Sequence, residues 1–225
     1  MNISVFEVTG PVMVGPSSSH TAGAARLARV ARGITASPFS HVSFGLHGSF
    51  AKTYKGHGTD CALVAGALGL REDDERLAYA LAIAEERGMT YDFYETELDG
   101  MHENSVKITF MLSDGGKSVV IGSSTGGAQI VIRQIDGFDV EFTAQSPTLL
   151  IRQQDQKGII SEVTKALADN DLNIGIMRVS RRAKGDDAFC LIETDNAISR
   201  EVVEQIRAIP RVVMVRAIQI DSGER

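Results

Sequence analysis

A chain of 225 residues with 43% hydrophobic and 23% charged side chains is long enough for two modest domains and has the make-up of an ordinary soluble globular protein. No apolar run approaches the length needed to span a bilayer, and the opening MNISVFEVTG lacks the basic and apolar regions of a signal peptide, so a cytoplasmic location is expected. The two cysteines, Cys61 and Cys190, have no second cysteine or histidine at ligand spacing, which excludes an iron–sulfur cluster or structural zinc held by this chain alone.

The formal charge of −6 lies wholly in residues 1–146, because the remainder balances 12 basic against 12 acidic residues. Residues 71–103 carry 3 basic and 11 acidic side chains, whereas residues 1–70 carry 5 basic and 2 acidic. The mildly positive start suits a small anionic molecule and is too weak for a nucleic-acid footprint.

In chain order, ISVFEV reads as a short strand. A helix is predicted from about Ser19 to Ala31, with Arg26, Arg29 and Arg32 along one stripe and Gly33 as its stop. HVSFGLHGSF reads as a strand entering a glycine-rich turn, and TDCALVAGALGL as a buried helix capped by Thr59. REDDER is a solvated turn or helix start, followed by the helix ERLAYALAIAEERG. Residues 105–142 alternate apolar and polar positions, with turns at Asp114-Gly115-Gly116 and Asp136-Gly137, the pattern of an antiparallel meander. Helices followed by strands give an α+β domain over residues 1–145.

Ser146-Pro147 marks the boundary to a second domain, residues 146–225. There TLLIRQQ, LNIGIMRVSRR, DAFCLIETD and VVMVRAIQI read as strands. KGIISEVTKALADND and SREVVEQIRAI read as helices, the second capped by Ser199. The order βαββαβ is that of a ferredoxin-like domain.

Three stretches carry candidate chemistry. In GPSSSHT, Pro16 ends the preceding segment, and one of Ser17, Ser18 and Ser19 suffices to cap the following helix. Two further hydroxyls, His20 and Thr21 are left over at a helix start whose unpaired N–H groups and dipole favour an anion. In LHGSFAKTYKGHGTD, His57 precedes a helix start, which favours the neutral imidazole that a general base requires; Lys55, Thr59 and Asp60 lie beside it. In IGSSTGGAQI, Ser123 and Gly126 belong either to an anion-binding nest or to a bulge in the meander. His41 and His102 have no supporting partners and receive no role.

The second domain, with Asp155–Gly158 forming a turn and Asn173-Ile174 at the start of the strand LNIGIMRVSRR, resembles the ACT domain, an amino-acid-binding module that works at interfaces between copies. That resemblance implies an effector site at Asp155, Gly158, Asn173 and Ile174; a plain dimerisation module without ligand is the other reading. GPSSSHTAG, HGSFAKTYKGHGTD and GSSTGG followed by this unit resemble the beta chain of the bacterial iron–sulfur-dependent L-serine dehydratases, although the third motif commonly has isoleucine where this chain has Thr125. The N-terminal domain is similar to the allosteric substrate-binding domain of some phosphoglycerate dehydrogenases.

The resemblance implies conversion of L-serine to pyruvate and ammonia with a [4Fe–4S] cluster held by a separate alpha chain. One cluster iron acts there as a Lewis acid on the serine hydroxyl while a base removes the Cα proton. It implies that Ser17, Ser18, Ser19 and Thr21 help bind the substrate carboxylate and that His57 or His20 transfers the proton. Lys55, Thr59, Asp60, Ser123 and Gly126 complete the expected substrate site. A non-catalytic, amino-acid-sensing regulatory subunit is the alternative. A fragment of a larger phosphoglycerate dehydrogenase lacks its dinucleotide fingerprint here, and a structural assembly module leaves the surplus hydroxyls without a role.

Overall fold

The computed structural model describes residues 15–219, so the predicted strand ISVFEV lies outside the described residues. The chain divides into two compact units, one of residues up to Gly137 with Glu141–Thr143, the other of Phe138–Val140 with residues from Ala144 onward.

In the first unit a wide turn of π-helical form, Ser18–Gly23, runs directly into helix α1, Ala24–Thr35. Leu27, Ala28, Ala31 and Ile34 recur at helical spacing and are buried, while Arg26, Arg29 and Arg32 follow the less buried stripe. Gly33 does not stop the helix. Ile34 and Thr35 are buried and the Thr35 hydroxyl donates to Ser118 Oγ at 3.2 Å, which outweighs the roughly 1 kcal/mol that an exposed helical glycine costs. The stop is Ala36, left-handed at φ 46°, whose N–H returns to the Arg32 carbonyl.

Strand β1, Phe39–Leu46, is followed by a short helix α2, Gly48–Thr53, where the sequence predicts only a turn. The cause is long-range: the Ser49 N–H donates to the Glu103 carbonyl at 2.8 Å, and the Thr53 hydroxyl closes the helical turn onto the Ser49 carbonyl. Helix α3, Thr59–Leu68, is buried nearly all round, as its composition predicts. Thr59 does not cap it. Left-handed Gly58 holds the cap position, and the buried Thr59 hydroxyl has no partner among the described residues.

REDDER forms a turn with Asp74 capping the 3₁₀ segment Glu75–Tyr79, but Glu72 within it is buried and paired with Arg29. Helix α4, Ala80–Glu86, leads to β2, Thr90–Glu95, which pairs in parallel with β1 after this helical crossover. Strands β3 (Ser105–Leu112), β4 (Lys117–Gly126), β5 (Gln129–Ile135) and β6 (Phe138–Phe142) complete a six-stranded sheet in the order β2-β1-β3-β4-β5-β6. Val106, Ile108 and Phe110 are buried at every second position of β3, as a half-covered strand requires.

The second unit contains β7 (Thr148–Gln154), α5 (Ile159–Asp169), β8 (Ile174–Arg181), β9 (Asp187–Thr194), α6 (Arg200–Arg207) and β10 (Val212–Ile218). Its sheet has the order β10-β7-β9-β8 with antiparallel neighbours, the ferredoxin-like arrangement. Leu149, Ile151, Cys190, Ile192 and Val215 of the sheet share one core with Val163, Leu167, Val202 and Ile206 of the helices. Ser199 caps α6 by accepting from the Val202 N–H. Phe138 and Asp139 join this unit: the Phe138 ring stacks on Phe189 at 5.6 Å, and the Ser180 hydroxyl donates to the Asp139 carbonyl.

Candidate active site

The serine-rich stretch is the start of the first helical segment. Ser17 is extended, and its Oγ accepts from the His20 N–H at 3.1 Å, so one serine caps the turn as expected. The turn is wide because the Ala22 N–H reaches back to the Ser17 carbonyl, five residues away, while the Ser18 carbonyl is taken by Ala128 N–H of the β4–β5 hairpin. That contact sets Gly126 and its neighbours beside the turn.

His20 sits between two hydroxyls. Its Nδ1 lies 3.2 Å from Ser19 Oγ and its Nε2 3.1 Å from Ser49 Oγ, while Phe50 meets the ring edge-on at 5.3 Å. Burial, and secondarily the neighbouring His57, holds the His20 imidazole below its ordinary value, so it is neutral at neutral pH. The His57 ring lies 5.0 Å away, on the exposed loop ahead of α3. Its Nδ1 faces the Thr53 carbonyl at 3.4 Å and its own carbonyl accepts from the Thr21 hydroxyl at 3.1 Å. A proton on Nδ1 toward that carbonyl leaves Nε2 with its lone pair, and Nε2 has no partner among the described residues.

Ser17, Ser19, His20 and His57 therefore lie together, Ser18 is partly buried on the same turn, and Thr21 ties the turn to the His57 loop. Lys55 is exposed on the same loop, 5.7 Å from the Tyr54 ring centre. Asp60 turns inward enough for its carboxylate to accept from the Cys61 N–H. Two expected substrate contacts need correction: Thr59 and Ser123 are closed to solvent, and Ser123 Oγ bonds Ser105 Oγ at 2.7 Å, so both frame the site without lining it. Of the two readings of the GSSTGG stretch, the bulge fits, because the β4–β5 register shifts between Ser124 and Gly126.

Ser49 is the residue that the sequence does not single out. It lies in the second motif, but its role depends on Glu103, which anchors its N–H, and on left-handed Gly48, where a Cβ would come within 2.7 Å of the Glu103 carbonyl oxygen.

Among the described residues no three His, Cys, Asp or Glu side chains converge to hold a metal ion. Cys61 and Cys190 lie in different units, and burial pushes the Cys190 thiol up to about 12 and raises that of Cys61. The described residues do not fit an iron–sulfur cluster.

Residues 4–87 match the serine dehydratase beta chain family. The chain is 40% identical over 218 residues to the L-serine dehydratase beta chain of Peptoniphilus asaccharolyticus, covering 96% of this chain and 98% of that one. The chain belongs to the L-serine dehydratase beta-chain family. A probable L-serine dehydratase beta chain of Bacillus subtilis is 39% identical over 215 residues, again covering 96% of this chain and 97% of its own length. The D-3-phosphoglycerate dehydrogenase of Bacillus subtilis is 30% identical over 190 residues, 81% of this chain but 35% of that enzyme. The chain is thus similar to about a third of such a dehydrogenase.

Residues 147–211 match the ACT domain. In this beta-chain family member the four expected effector residues lie at two places. Asp155 accepts from Arg181 at 2.8 Å and from the Gly185 N–H, and Arg181 holds its carboxyl below the usual range. Left-handed Gly158 opens α5. Asn173 donates to Asp195 at 2.7 Å, just ahead of Ile174 at the start of β8.

Proposed function

We propose that this chain is the beta subunit of an L-serine ammonia-lyase, converting L-serine to pyruvate and ammonia with a separate alpha chain, which holds the [4Fe–4S] cluster. The observation that carries this reading is the pairing of an anchored, neutral His20 with an exposed His57 whose Nε2 has no partner among the described residues, at the mouth of a serine-rich turn. His57 Nε2 takes the Cα proton of serine. Both nitrogens of His20 are engaged by hydroxyls, so His20 holds the proton balance beside His57 and disfavours a charged pair. Ser17, Ser18 and Ser19 and the open N–H groups of the turn receive the carboxylate, with Lys55 adding positive charge. Loss of the Cα proton and the hydroxyl gives aminoacrylate, which tautomerises and hydrolyses to pyruvate and ammonia.

The same reading gives the chain a cytoplasmic location, an amino-acid effector at the ACT domain and self-association through that domain. The test is anaerobic co-purification with the alpha chain, followed by pyruvate formation from L-serine for wild type and His57→Ala. Activity confined to the complex, and lost in His57→Ala with the assembly intact, is expected. Turnover by this chain alone, or full maximal turnover in the variant, overturns the assignment; a shift confined to half-saturation would favour a sensing subunit.

A further inference from the structure

At the other end of α1 from the serine-rich turn, a cleft of about 700 Å³ opens between the C-terminal ends of α1 and α3. Arg29, Arg32 and Arg87 line it together with Phe39, Leu68 and Met89, and no carboxylate among the described residues does. This is unexpected so close to the most acidic part of the chain, where residues 71–103 carry 3 basic and 11 acidic side chains. Eight α-helical steps from Ala24 to Arg32 span about 12 Å at 1.5 Å per residue, and His20 lies further back in the wide turn, so the cleft is not part of the histidine site.

The three guanidinium groups are unequally satisfied. Arg29 donates through Nη2 to Glu72 at 3.1 Å, yet its buried Nε has no partner among the described residues. The guanidinium groups of Arg32 and Arg87 have no hydrogen-bond or ion-pair partner among the described residues; the backbone of each is bonded within its own helix end. Arg32 is also seated: left-handed Gly69 leaves room where a Cβ would come within 2.2 Å of Arg32 Nη1. Three helix C-termini, those of α1, α3 and α4, contribute about half a negative charge each, and Glu72 one more, so three guanidinium groups leave a small positive excess.

We infer that this cleft binds a small oxyanion with a short apolar body, its carboxylate or phosphate between Arg32 and Arg87 and its body against Phe39, Leu68 and Met89. Planar guanidinium groups suit either oxyanion through paired N–H donors.

The test is a titration of the ¹⁵N-labelled full chain with inorganic phosphate and, separately, propionate at constant ionic strength, followed by NMR. Saturable shifts centred on the Ser37 and Gly69 amides are expected, weakened about tenfold in Arg32→Gln or Arg87→Gln and abolished in the double variant. Tighter phosphate binding would mark a phosphorylated ligand, and tighter propionate binding a carboxylate. Both arginines are exposed, and if one variant misfolds the other decides. No saturable shift with either anion, binding unchanged in the double variant, or binding lost equally in His57→Ala overturns the inference.

Discussion

His20 and Ser49 stand 29 positions apart, and the His20 Nε2 lies 3.1 Å from the Ser49 Oγ. With Ser19 at the other nitrogen, the ring is held at both ends, and its orientation relative to His57 depends on both hydroxyls. Removing one should let the ring rotate while the Glu103 anchor keeps α2 in place. Ser49→Ala is expected to lower the kcat of the alpha–beta complex by about tenfold, the loss of one hydrogen bond worth about 1.4 kcal/mol, with little change in KM. Ser49→Thr should restore most of it. Steady-state kinetics across pH check this, because a purely structural role would lower the amount of folded complex without altering the pH profile.

The depressed His20 titration has a direct stability consequence. Its ordinary value is 6.5, and burial first, then His57, lowers it in the folded chain. In the unfolded chain the ring binds its proton at the ordinary value, so on acidification the unfolded state is protonated first. The contribution is fully present above pH 6.5 and is lost as pH falls through the lower folded value. Melting temperature should therefore fall on acidification, more steeply in wild type than in His20→Asn, as thermal denaturation at a series of pH values would measure. Equal slopes for the two proteins would remove His20 from this account.

Thr59 presents the opposite situation, a fully buried hydroxyl with no partner among the described residues. Leaving such a group unsatisfied costs about 1–3 kcal/mol. Thr59→Val is expected to raise stability in urea by about 1 kcal/mol, while the KM of the complex for serine stays within about twofold. A large rise in KM without a stability gain would return Thr59 to the substrate contacts.

Much of this architecture is legible in local chemistry. The alternation of residues 105–142 and the Asp-Gly turns give the meander, and the βαββαβ order follows from apolar spacing with Ser199 marking a helix start. The three serines and His20 stand out because a cap needs only one of them, and Ser17 is the one that caps the turn. What is not legible depends on distant partners. Ser49 becomes important through the Glu103 backbone and His20, and the helix after β1 forms for the same reason. Gly33 fails as a stop because Ile34 and Thr35 are buried by other elements. Thr59 fails as a cap because Gly58 takes the left-handed conformation ahead of it. Glu72, in a segment that reads as solvated, is buried against Arg29, 43 positions earlier.

The limits of the ACT unit give a further expectation. A boundary at residue 146 leaves out Phe138, yet Phe138 stacks on Phe189, Arg182 lies over the Phe138 ring at 4.5 Å, and Ser180 donates to the Asp139 carbonyl. The stacked pair is worth about 0.5–1.5 kcal/mol beyond area burial, and a cation over a ring adds about 0.5–1 kcal/mol when exposed. The core of Leu149, Ile151, Val163, Leu167 and Val215 is complete within residues 146–225, so that fragment should fold. A fragment of residues 136–225 should be more stable in urea by about 1–2 kcal/mol, and Phe138→Ala in the longer fragment should remove most of the difference. Equal midpoints for the two fragments would show that residues 138–140 belong energetically to the six-stranded sheet, not to the ACT unit.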